Sequence, residues 1–165
     1  MVDAVHDYFK AQKKDSIYFT ALGFVSLALA IFFLTKGHSY FNGMAYVLLA
    51  LGLVELISGM TLYARCDMDR ISVSYFVQKD FEQIHRYEIP RMELLLKEYA
   101  IFWKVEIGFI VLGLILWMLS GSMSLGKGIG LALIVQALIL LVFDYLSLQR
   151  GAAYLNFLQS LKPQS

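Results

Sequence analysis

Charge is scarce in this chain of 165 residues: Asp, Glu, Lys and Arg together make up 16% of the sequence, whereas hydrophobic residues make up 59%. Soluble globular domains carry about 25% charged residues, so this composition excludes an ordinary soluble domain. A single cysteine excludes an intramolecular disulfide. There are only two prolines, and we expect Pro90 to break the insertion between the second and third spans, because a proline ring disfavours helix in the preceding residue.

The motifs of common catalytic sites are also missing. There is no Walker loop, no glycine-rich dinucleotide turn, no G-x-S-x-G and no H-E-x-x-H. The long apolar segments contain no histidine, which excludes a haem held between them. Glu82, His85 and Glu88 form a single E-x-x-H-x-x-E run, whereas di-iron bundles need two such pairs. We interpret the run as a solvated helix face, and we predict a non-enzyme with no metal site and no cofactor.

Four apolar segments are each long enough to cross a bilayer, which takes roughly 20 residues. We place them at residues 17–35, 43–64, 100–120 and 128–148. They predict an all-α, polytopic membrane protein with four transmembrane helices in a single domain. Its predicted parts are a first repeat at about 17–65, an insertion at 66–99, a second repeat at about 100–150 and a C-terminal extension at 151–161.

The two halves of the chain align without a gap at an offset of 85 residues. Residues 22–65 and 107–150 share 11 identities in 44 positions, and their closing arginines, Arg65 and Arg150, fall in register. This register predicts two tandem hairpins that arose by internal duplication. The acidic residues within the spans are not duplicated.

Lysine and arginine are distributed unevenly between the loops. Eleven of the 14 lie before the first span, between the second and third, or after the fourth, and Lys104 lies near the start of the third span on the same side. Only Lys36 and Lys127 lie in the other two loops. By the positive-inside rule, this predicts that both termini are cytoplasmic. The cytoplasmic face also carries ten acidic residues, a near balance that excludes nucleic acid as a partner.

Apolar residues at helical spacing continue past the predicted spans. Val73, Val77, Phe81, Ile84 and Tyr87 form one such row after the second span, and the C-terminal segment forms another. The rows predict helices that extend into the cytosol. In one interpretation the rows pack on one another, and in the other they form a docking groove for a partner.

Four polar residues lie inside the predicted spans: Glu55, Glu106, Gln136 and Asp144. An unpaired charge at the bilayer centre costs at least about 2.5–3.5 kcal/mol, so such residues are candidates for function. Glu55 lies ten residues, about 15 Å, from Arg65 and therefore near the midplane. In the functional interpretation Glu55 loads a proton or binds a cation, and the other three line a polar path from the cytosol.

The alternative interpretation of these residues is structural. The acidic side chains then bond to neighbours in three pairings: Lys104 with Asp144 as an ion pair, Glu106 with a serine or tyrosine hydroxyl, and Glu55 with Ser26 or Gln136. Folding the second hairpin about its loop places Glu106 within one helical turn of the level of Asp144.

Three stretches carry a family resemblance. They read FNGMAYVLLALGLVELISG with YARCDMDR, then EIPRMELLLKEYAIFWKVEIG, and then GKGIGLALIVQALILLVFDYLSLQRGAAYLNFL. They resemble a group of bacterial four-span inner-membrane proteins of unknown function, whose most recognisable element is E-x-P-R-M at the start of the third span. The resemblance implies a bacterial inner-membrane location. It also implies that Glu88, Pro90, Arg91 and Met92 form a structural corner whose proline sets the start of the helix.

Two functions remain open from the sequence. The favoured one is a non-catalytic membrane protein that binds a protein partner in or at the cytosolic face of the membrane, in an immunity, stress-sensing or assembly role. The short outer loops and the missing catalytic motifs favour it. The alternative is a small oligomeric proton- or cation-coupled transporter or channel that uses Glu55. The expected partners are the lipid bilayer and either another protein or further copies of the chain.

Overall fold

The fold is a bundle of long helices. A computed structural model describes residues 2–79 and 81–161, and within these residues no strand occurs. The elements are α1 (Val2–Leu34), α2 (Ser39–Lys79), a single turn α3 (Phe81–Gln83), a π-helical turn (Ile84–Glu88), α4 (Ile89–Leu119) and α5 (Leu125–Ser160). Each of the four long helices contains a segment long and apolar enough to cross a membrane. The predicted all-α, four-helix membrane fold is confirmed.

The helices pack as two hairpins joined along one side. α1 lies along α2, and α4 lies along α5, while α2 packs against α5 and so connects the hairpins. α1 contacts α5 only over a short stretch. Among the described long helices, α4 has α5 as its one extended neighbour. The bundle therefore leaves a gap between α4 and the hairpin of α1 and α2.

The helices run well past the predicted spans at the end that holds both termini. We call this part, residues 2–16, 66–99 and 151–161, the extension, and the opposite end the loop end. Bulky side chains fill the core of the extension: Val5, Phe9, Cys66, Val73, Val77, Ile84, Met92, Tyr154, Leu155, Leu158 and Leu161. The prediction that the apolar rows pack on one another is confirmed for Val73, Val77 and Ile84. It is wrong for Tyr87, which is 54% exposed, and the side chain of Phe81 lies outside the described residues.

The buried Glu88 and the half-buried Arg91 form a polar corner where the chain enters α4. Pro90 occupies the first turn of α4, where a missing N–H costs no helical hydrogen bond. The buried Glu88 carboxylate accepts hydrogen bonds from Arg91 Nε at 2.8 Å and from a terminal nitrogen of Arg91 at 2.7 Å. The solvated face predicted for the E-x-x-H-x-x-E run is therefore wrong at Glu88, because the charge is paired and packed inside the extension.

Two tyrosines complete this corner. The rings of Tyr8 and Tyr154 stack with centroids 4.0 Å apart, which ties α1 to α5. The Tyr154 hydroxyl donates to Glu88 at 3.3 Å, and the Tyr8 hydroxyl points to the sulfur of Met92 at 3.6 Å. Burial raises the pKa of both tyrosines, so both remain neutral donors. The corner thus joins three helices through satisfied polar groups.

Glycines set the helix contacts in the apolar half of the bundle. A Cβ atom on Gly128 would overlap the carbonyl oxygen of Tyr40, and one on Gly43 would overlap that of Leu125, so α2 and α5 touch backbone to backbone near the loop end. Small residues at such contacts are typical of helix packing in membranes. The two hairpins are therefore held together by a direct α2–α5 contact at the loop end.

Candidate functional site

Three buried polar side chains meet where α1, α2 and α5 converge. Ser26, Glu55 and Gln136 are each 2% exposed. Ser26 Oγ donates to Glu55 Oε2 at 3.4 Å, the amide of Gln136 donates to Glu55 Oε1, and the same amide lies 3.2 Å from Ser26 Oγ. The Glu55 carboxyl group is therefore satisfied by two donors rather than left unpaired in an apolar interior. The bonds anticipated between Glu55 and these two neighbours are present.

A second pair of acidic side chains lies between α4 and α5. Glu106 and Asp144 are both buried, and their carboxyl groups lie within hydrogen-bonding reach of each other. A hydrogen bond between two carboxyl groups requires a proton on one of them, because two adjacent carboxylates repel. The predicted common level of Glu106 and Asp144 is confirmed. The predicted serine or tyrosine partner of Glu106 is wrong, because α4 turns this side chain towards Asp144.

The predicted ion pair between Lys104 and Asp144 is also wrong. Lys104 is exposed on the outer surface of α4, and no ion pair joins it to Asp144 in the described part of the chain. Residues two apart on an α-helix point about 200° apart around the axis. Because Glu106 faces α5, Lys104 necessarily faces away from it.

A cavity of about 790 Å³ occupies the gap between α4 and the hairpin of α1 and α2. Glu55, Glu106 and Asp144 all border it, so three of the four predicted site residues share one cavity. Gln136 is not among the residues that line the cavity, but its side-chain amide donates a hydrogen bond to Glu55, which does line it. The sequence predicted a polar path but not a cavity, because the gap depends on α4 packing against α5 alone.

Charge is distributed unequally along the cavity. Its arginines, Arg65, Arg91 and Arg150, all lie at the end near the extension. Two of them form ion pairs there. Arg150 Nη2 lies 2.6 Å from Asp15 Oδ2, and Arg91 Nη1 lies 3.5 Å from Asp69 Oδ2. The charged groups that border the deeper half are the acidic residues Glu55, Glu106 and Asp144. The residues that line the deep half therefore include no basic side chain.

The structure shows an exposed apolar row on α2 that the sequence analysis does not predict. Met68, Ile71 and Tyr75 are 64%, 66% and 56% exposed, and they lie on the side of α2 opposite the buried Val73 and Val77. Both rows follow helical periodicity, so the spacing alone does not show which row is buried and which is exposed. We call Met68, Ile71 and Tyr75 the α2 row.

Neither a search of the described residues for metal sites nor a comparison with known proteins identifies a function. The described residues contain no group of three His, Cys, Asp or Glu side chains arranged to hold a metal ion. No protein-family model, curated protein or solved structure matches this chain.

Proposed function

We propose that this chain is a non-catalytic integral protein of the bacterial inner membrane that binds a protein partner through the α2 row. The observation that carries the proposal is the exposure of Met68, Ile71 and Tyr75 beyond the predicted span. These residues lie about 5 to 15 Å past Arg65 along the helix, and therefore beyond the end of the predicted span. Burying one such side chain contributes about 1.5–3 kcal/mol.

The spacing of the row suits a helical partner. Positions 64, 68, 71, 75 and 78 are all exposed and alternate steps of four and three, which is the spacing of a coiled-coil seam. The seam begins at the end of the predicted span and continues into the extension. A helix of the partner, or α2 of a second copy, would follow it from the membrane outwards.

The distribution of lysine and arginine supports the proposed orientation in the membrane, and the alignment of the two halves supports the proposed duplication. The excess of lysine and arginine on the side of the extension supports a cytoplasmic extension with cytoplasmic termini. The gapless alignment of residues 22–65 with 107–150, together with the packing of α1 on α2 and of α4 on α5, supports an internal duplication. The α2 row would then face the cytoplasm, where a soluble or membrane partner can reach it.

Photo-cross-linking in the native host tests the proposal. A benzophenone-bearing phenylalanine analogue at Tyr75 is expected to yield one adduct of defined mass, because the row is buried by a partner. The same analogue at Tyr87, which is 54% exposed on the π-helical turn, provides the matched control. An identical adduct pattern at both positions, or lipid adducts alone at Tyr75, would contradict the proposal.

A proton- or cation-coupled transporter is the second candidate, favoured by the acidic residues that border the cavity. If Glu55 carries the ion, Glu55→Gln is expected to abolish proton or cation flux in proteoliposomes while the protein remains folded. Glu93→Gln, at an exposed carboxyl group of α4 that does not border the cavity, is the control and should retain flux. Absence of flux from the folded wild-type protein would exclude this function and leave Glu55 as a packing residue.

A further inference from the structure

We infer that the cavity between α4 and the hairpin of α1 and α2 is a binding site for a monovalent lipophilic cation, such as an aromatic amine or phosphonium. The charge of the ligand would lie against Glu106 and Asp144, and its apolar body against the walls of the cavity. This site is separate from the α2 row, so it stands or falls independently of the proposed partner.

The first support is the pattern of side chains on α4. Phe102, Glu106 and Phe109 all line the cavity, and their spacing of four and three places them on one helical face. A carboxyl group is thus flanked by two aromatic rings. Aromatic faces attract cations, and they do so more strongly where water is excluded. The arrangement suits a ligand that is both positively charged and apolar.

The second support is the state of the carboxyl pair. Glu106 is 5% exposed, and its Oε2 accepts no hydrogen bond from an amide, hydroxyl or amino group of the described residues. Buried polar atoms normally have such partners, so a donor or positive charge brought beside this carboxyl group would complete its hydrogen bonding. Two adjacent buried carboxyl groups favour a positive charge beside them, because it lowers the cost of ionising either one.

Size and chemistry distinguish this ligand from a metal ion. About 790 Å³ lies within the range of sites for small organic molecules, which are mostly apolar with a few convergent polar groups. Divalent calcium takes six to eight oxygen ligands, and magnesium requires six. The two carboxyl groups supply four oxygens at most, and Phe102, Phe109 and Leu140 add apolar wall.

Equilibrium binding of radiolabelled tetraphenylphosphonium to the full chain in nanodiscs tests the inference, with protein-free nanodiscs as the blank. We expect one saturable site in the wild-type protein and at least tenfold weaker binding in the Glu106→Gln, Asp144→Asn double variant. Neutral triphenylphosphine oxide, which lacks the positive charge, is expected to bind both proteins equally. Glu93→Gln, at an exposed carboxyl group of α4 that does not line the cavity, should bind tetraphenylphosphonium like the wild type.

A second variant keeps the test decisive if the double variant does not fold. Leu140→Trp leaves the carboxyl pair in place but fills part of the cavity, so binding should again fall at least tenfold. Thermal unfolding of each variant establishes that it is folded. Wild-type affinity in a folded double variant or in Leu140→Trp, or no saturable binding by the folded wild-type protein, would overturn the inference.

Discussion

Replacing Arg91 with alanine is expected to destabilise the protein more than any other single charge removal. The change would leave the Glu88 carboxylate, whose side chain is 4% exposed, without its two charged hydrogen bonds. Breaking a buried pair costs 3–5 kcal/mol, and the 32% exposure of Arg91 favours the lower value, about 3 kcal/mol. At 2–4 °C per kcal/mol, the unfolding temperature of purified protein should fall by roughly 6–12 °C.

A double-mutant cycle separates the stranded charge from lost packing. Glu88→Gln in the Arg91→Ala background removes the uncompensated charge, so it should restore part of the unfolding temperature. Lys13→Ala is the control because it removes an exposed ion pair with Asp67, and exposed pairs contribute little. If Arg91→Ala unfolds at the wild-type temperature, the corner does not stabilise the extension.

Gly128→Ala is the second large effect that we expect. The added methyl group would overlap the backbone carbonyl of Tyr40, so α2 and α5 must separate along their contact near the loop end. Overpacking typically costs 1–3 kcal/mol and more where backbone must shift, so we expect about 3 kcal/mol. Thermal unfolding in detergent or nanodiscs would show a decrease of roughly 6–12 °C.

Gly108→Ala is a closely matched control for this prediction. It adds the same methyl group to another helical glycine in a predicted span, but apart from the adjacent backbone of its own helix no atom lies within 4 Å of that position. Its unfolding temperature should equal or exceed that of the wild type, since alanine favours helix over glycine. Equal destabilisation by both substitutions would show that lost helix flexibility, and not the α2–α5 contact, determines the effect.

The sequence predicted the helices well because their signals are local. Apolar length specified the four spans, and helical spacing placed Val73 and Val77 in a core beyond the membrane. Pairing between helices was harder to predict. The level of Glu106 and Asp144 followed from folding a hairpin about its loop, but their orientation depended on the rotation of α4 about its axis, which placed Lys104 outside.

The cavity and the α2 row could not be predicted for a related reason. Both depend on which helix faces are left uncovered, and the covering of a face is a property of the whole bundle. Gly43 and Gly128 bring α2 against α5, whereas α4 makes no comparable extended contact with α2 among the described residues. Neither composition nor periodicity indicates that α2 contacts α5 closely while α4 stays apart from α2.

Native mass spectrometry of the protein extracted from its host membrane in nanodiscs tests the partner proposal most directly. We expect a stoichiometric complex with another protein or a second copy. The complex should be lost in Ile71→Glu, because a charged side chain in the α2 row opposes burial of the row. Tyr87→Glu, which places the same charge elsewhere on the extension, should leave the complex intact. A monomer without a bound protein in the wild-type sample, or a complex that survives Ile71→Glu, would contradict the account.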